Sequence, residues 1–165
     1  HLWSAVCSDG ITTNEIRTHR FEIKIPPVLK CIVSSDCASL KEIFSISSLT
    51  NAHASTDPNY YNYKVCCNLT KGEEIINLDT SRGTKILSLY SSANSHVESP
   101  TVAIPTYTIP IYIGAEQQDI NIICRASDKC ENTETCVIAL SSQQNAHLSD
   151  CSSTYPLKIC CNASQ

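Results

Sequence analysis

Methionine is absent from this chain of 165 residues, glycine occurs only four times, phenylalanine twice and tryptophan once. So few glycines leave no room for a phosphate-cradling loop, and neither G-x-S-x-G nor H-E-x-x-H occurs, so the sequence nominates no catalytic residue and predicts a protein that is not an enzyme. Charged residues make up 17% of the chain, the formal net charge is -4, and there is no basic run. That excludes a nucleic-acid partner, because phosphate contact needs a concentrated Lys/Arg surface. No apolar stretch approaches the roughly 18 residues of a membrane helix, so no membrane insertion is expected and the mature chain is read as soluble. Starting at His1 without methionine, the chain is expected to have lost a leader or to be an excised fragment.

Cysteine is what the chain has in abundance, with eleven residues. A reducing cytosol would leave most of them as reactive thiols, so their number points to an oxidising compartment outside the cell. Zinc is the competing use. It calls for short C-x2-C or H-x3-H clusters, whereas this chain has C-x5-C pairs (Cys31/Cys37, Cys124/Cys130), adjacent pairs (Cys66-Cys67, Cys160-Cys161) and isolated Cys7, Cys136 and Cys151. Adjacent cysteines on a strand point to opposite faces, so each needs its own partner. Cys31 and Cys37 are expected to bond Cys66 and Cys67, and Cys124 and Cys130 to bond Cys160 and Cys161, in an order left open. Cys136 and Cys151 replace Glu42 and Asp57 of the earlier copy together, which predicts a bond between them and leaves Cys7 unpaired.

These cysteines belong to a repeat. "IFSISSLTNAH" (43–53) matches "VIALSSQQNAH" (137–147), and thirteen residues separate His53 from Cys66 and His147 from Cys160. "ILSLYSSANSH" (86–96) has the same spacing with no cysteine around it. The organisation read from this is an N-terminal arm (1–22) and three units (23–68, 69–116 and 117–165), the middle one cysteine-free. Within each unit the apolar period is two: Phe44/Ile46, Leu87/Leu89 and Ile138/Leu140 face one way, and Ser45, Ser88 and Ala139 the other. The expected fold is all-β, with short antiparallel strands in an immunoglobulin-like or related β-sandwich, stapled by disulfides.

Asn51, Asn94 and Asn145, each two residues before His53, His96 and His147, are read as repeat turns that end a strand. Three equivalent histidines in stacked units are expected to stand apart, so neither a metal nor a cofactor is predicted. Asn68 and Asn162 head glycosylation sequons in equivalent exposed turns and are expected to carry covalent glycans together or not at all. The arm ends in "RFEIKI", where Phe21, Ile23 and Ile25 alternate with polar residues and are the candidate assembly contacts.

The unit with C…C, a short "ETCVIAL" strand, "NAH" and then Y-x-x-K-[VI]-C-C resembles a cysteine-rich repeat of surface and secreted proteins from uncultured archaea and related microbes. The resemblance implies an extracellular β-repeat module and transfers no catalytic residue. Together these readings predict a structural subunit of a cell-surface filament or coat that forms a homo-polymer through strand or arm contacts. The alternative is a monomeric adhesin or glycan-binding module, with Tyr60, Tyr61, Tyr63, Tyr107 and Tyr155 lining its site.

Overall fold

The structure, a computed structural model, describes residues 24–165. Cys7, Phe21 and Ile23 lie outside them, whereas Ile25 is described and half exposed just before the first strand. All regular structure in these residues is antiparallel β, with no helix among them, as the period-two pattern requires. The first sheet is built from β1 (Pro27–Ser34), β2 (Lys41–Ile46), β3 (Ala54–Ser55) and β4 (Tyr63–Lys71) in the order β1-β4-β2-β3, and β5 (Glu74–Ile76) extends it along β4. The second contains β6 (Leu78–Leu89), β7 (Val97–Glu98) and β8 (Ile109–Ala115) in the order β7-β6-β8. The third joins β9 (Asn121–Ser127), β10 (Thr135–Leu140), β11 (Leu148–Ser149) and β12 (Leu157–Ser164) in the order β11-β10-β12-β9. The strands are thus spread over three sheets, where an immunoglobulin-like sandwich has two.

The first and third sheets agree in register as well as in order. Cys31 stands opposite Cys67 as Cys124 stands opposite Cys161, and a bulge between Glu42 and Phe44 has its counterpart between Cys136 and Ile138. β8 is an edge strand, which accommodates Pro110 because that residue has no N–H to give a second neighbour. Five disulfides join Cys31–Cys67, Cys37–Cys66, Cys124–Cys161, Cys130–Cys160 and Cys136–Cys151. Cys67 and Cys161 face the core and bond across to the neighbouring strand, while Cys66 and Cys160, on the opposite face, clamp the loops that carry Cys37 and Cys130.

One apolar core runs through all three sheets, and Phe44, Ile46, Leu87, Leu89, Ile138 and Leu140 are fully buried in it. The opposite face of these strands is not open to solvent either, although the alternation by itself describes a strand buried on one side: Ser45, Ser88 and Ala139 are also buried. The returning loop is the reason. Ser45 Oγ donates to the Asp57 carbonyl at 2.6 Å and accepts from the Tyr61 N–H at 3.2 Å, so this loop lies over the second face.

β6 is irregular between Asp79 and Thr84, and there Gly83 adopts a φ of 113° against Gly114. A Cβ at Gly83 would lie 2.4 Å from the Ile113 carbonyl oxygen, a backbone atom that cannot yield, in a conformation that L-residues rarely adopt. Gly83→Ala is therefore expected to cost about 2 kcal/mol in denaturant unfolding. Gly72→Ala meets only the flexible Ile25 side chain, at 3.5 Å, and should cost about 1 kcal/mol for its positive φ alone.

Candidate functional site

Each histidine turn begins with an asparagine in the left-handed region, with φ of 51° at Asn51, 49° at Asn94 and 51° at Asn145. Asparagine tolerates that conformation better than most side chains, so the sequence ends the strand there and reverses it. The turns close alike: the N–H groups of Ser47, Tyr90 and Ser141 donate to the carbonyls of His53, His96 and His147. Beyond each turn a three-residue segment pairs with both of the others. Ala52 exchanges backbone hydrogen bonds with Leu148, Ala54 with Ser95, and Val97 with Ala146, at 2.8–3.1 Å. Three short segments thereby close a ring of antiparallel bridges.

Side chains alternate along an extended segment, and this decides where the histidines go. Ala52, Ala54, Ser95, Val97, Ala146 and Leu148 are buried beneath the ring, so the residue between each pair must project from its other side. His53, His96 and His147 accordingly meet over the ring, half buried, with one potential ligand atom from each lying within 4.8 Å of the others. The rings of His53 and His147 stack at 5.2 Å between centroids, and His96 sets its edge against both, at 4.7 and 4.4 Å. The expectation that the three histidines stand apart is corrected by this arrangement. It assumed units stacked in line, whereas the backbone bridges gather the turns around one point.

The asparagines orient the rings. His53 Nδ1 lies 2.7 Å from Asn94 Oδ1, and His96 Nδ1 is in the same contact with Asn145 Oδ1. An amide oxygen only accepts, so each of these nitrogens carries a proton and donates it. Tyr61 and Tyr107 hydroxyls donate to the same oxygens at 3.2 and 3.1 Å, which holds the amides in place. The Nε2 atoms of His53 and His96 are 3.0 Å apart. Burial, and then the neighbouring His96 and His53, push the His147 pKa below the ordinary histidine value, which favours a neutral ring. A cavity of about 360 Å³ opens beside the cluster between Tyr90 and Tyr107, whose rings meet edge to face at 5.4 Å.

Among the remaining sequence-nominated residues, Asn68 and Asn162 lie half buried within β4 and β12, not in exposed turns. Both strands run on past the cysteine pair because β1 and β9 pair with them as far as Lys71 and Ser164. Cys130, Glu134 and Cys160 also come close together, but the two sulfurs are bonded to each other, which removes them as metal ligands. Two residues of this region escaped the sequence reading, Tyr90 and Glu98. Their signal was substitution at equivalent places, since Tyr90 stands where the other turns have Ser47 and Ser141, and Glu98 where they have Ser55 and Ser149. No protein-family model, curated protein or solved structure matches the chain.

Proposed function

We propose that this chain is an extracellular structural protein, a subunit of a cell-surface filament or coat, in which three copies of one β unit are locked together through the histidine turns. The observation that carries this reading is the outer edge of the first sheet. Among the described residues β1 is hydrogen-bonded on one side only, and it turns Val28 and Ile32 outward, 44% and 51% exposed, directly after Ile25 at 51%. An apolar strand with a free edge is a template for strand addition by another chain. The disulfides support an oxidising location, and no helix among the described residues is long and apolar enough to cross a membrane.

In this proposal the N-terminal arm, from about Ile11 to Ile25, pairs in extended form with a neighbouring subunit. Full-length protein is expected to form regular filaments in negative stain and to sediment as polymer, and deletion of residues 1 to 20 to yield folded monomers with their disulfides intact. Filaments undiminished by the deletion would move assembly to the sheet surfaces. A full-length chain that stays monomeric at high concentration would overturn the structural reading. It would favour a glycan-binding module instead, for which the exposed Tyr90 beside Tyr107 offers an aromatic platform.

A further inference from the structure

We infer that His53, His96 and His147 form a binding site for one divalent transition-metal ion of the zinc type. Three features of the ring point to it. First, the ring closure places three imidazoles over one point, with ligand atoms no more than 4.8 Å from one another. Second, two of the rings are held as metal-ligating histidines usually are, with Nδ1–H donated to a fixed oxygen and the two Nε2 atoms turned toward each other. Third, the Nε2 atoms of His53 and His96 approach to 3.0 Å. Two ring nitrogens at that distance share a proton or another cation, so this is a place that a metal ion can take over. Around a tetrahedral ion with bonds of about 2.0 to 2.1 Å the nitrogens would be about 3.3 Å apart, so this pair already has nearly the required separation.

The donor set selects the ion. Three imidazoles with no carboxylate among the clustered ligands suit zinc, copper or nickel and exclude calcium and magnesium, which require oxygen ligands. The cavity between Tyr90 and Tyr107 leaves a fourth position open to water or a small ligand. Because the three histidines come from three different sheets, one ion would tie all three together at the point where their turns meet. The site rests on the histidine geometry and does not depend on whether the chain polymerises.

The test uses the full chain with its disulfides oxidised and its metal removed, titrated with Co2+ as a spectroscopic probe and with Zn2+. One equivalent of Co2+ per chain should give the intense visible absorption of a tetrahedral site, Zn2+ should displace it, and Zn2+ should raise the melting temperature reversibly with a chelator. His147→Phe, which keeps a ring in the stack, should abolish the tetrahedral spectrum. Asn94→Gly keeps the left-handed backbone of the turn and all three ligands and should weaken affinity about 10 to 100-fold; it also provides a readout if the histidine variant does not fold. A purely octahedral, water-like Co2+ spectrum with no thermal shift at millimolar Zn2+ would overturn the inference. Undiminished binding by folded His147→Phe would overturn it as well.

Discussion

Replacing Cys31 and Cys67 together by alanine is expected to lower the unfolding free energy by about 4 kcal/mol, the largest loss from removing any one bond of the first sheet. The bond spans a sequence separation of 36, and in the chain-entropy model a closed loop of that length restricts the unfolded chain by about 4 kcal/mol at room temperature. Cys67 is also fully buried and belongs to the core, so the substitution removes packed sulfur as well as the cross-link. The comparison that makes the result interpretable is Cys136→Ala with Cys151→Ala. That bond spans only 15 residues and should cost about 3 kcal/mol. The first sheet does without a counterpart: at the place of Cys136 it has Glu42, paired to Lys64 at 2.7 Å. Guanidinium unfolding under non-reducing conditions measures both. A negligible loss for the Cys31/Cys67 pair would show that the core and backbone bridges hold the sheet without the cross-link.

Glu98→Ala is expected to destabilise the protein by about 3 kcal/mol, although no disulfide is removed. The middle sheet has no cysteines, and this carboxylate, which is fully buried, holds the loop after β7 at Thr106 and Tyr107. It accepts hydrogen bonds from the N–H of Thr106 at 3.0 Å and of Tyr107 at 2.9 Å, from the Thr106 hydroxyl, and from Gln144 Nε2 at 3.0 Å. Truncation leaves buried donors without a partner, at about 1 to 3 kcal/mol for each one that water cannot reach.

Burial alone would raise the Glu98 pKa, but hydrogen bonds led by those from Thr106 and Tyr107 outweigh it and hold the carboxyl below the ordinary glutamate value. A folded-state pKa below the unfolded one contributes stability that is complete above about pH 4.3 and is lost as pH falls toward and through the folded value. The melting temperature of the native protein should therefore fall more steeply below pH 4.3 than that of Glu98→Gln, which has no titrating group at this place. Asp79, held to about 2 by Ser81 and Arg82, titrates in both proteins and cancels in the comparison. Parallel curves from pH 3 to 7 would mean that Glu98 contributes no linkage.

The all-β class was legible in the sequence because strand pairing leaves a local mark. Ile, Leu and Tyr recur at every second position between turn residues, and the alternation survives whatever the sheets pack against. The cysteines were legible for a similar reason, since two adjacent residues on a strand cannot share one partner and the C-x5-C pairs stood within reach. Ser45 and Asn68 show where local pattern stops. Alternation says that Ser45 faces away from Phe44, but only the loop hydrogen-bonded to its hydroxyl decides that this second face is also buried. A sequon says nothing of how far β1 pairs along β4, and that length decides whether Asn68 sits in a turn or a strand.

The histidines mark the boundary most sharply. From sequence alone Asn51, Asn94 and Asn145 were equivalent turn residues, and each histidine had the same local job. Their meeting depends on six backbone hydrogen bonds between segments 40 to 100 residues apart, from Ala52 to Leu148, Ala54 to Ser95 and Val97 to Ala146. Equivalent turns on units stacked in line and equivalent turns closed into a ring share the same local pattern. Only the tertiary pairing distinguishes them, because backbone hydrogen bonds between distant segments have no signature in side-chain sequence, and that pairing is what gathers three separate histidines into one cluster.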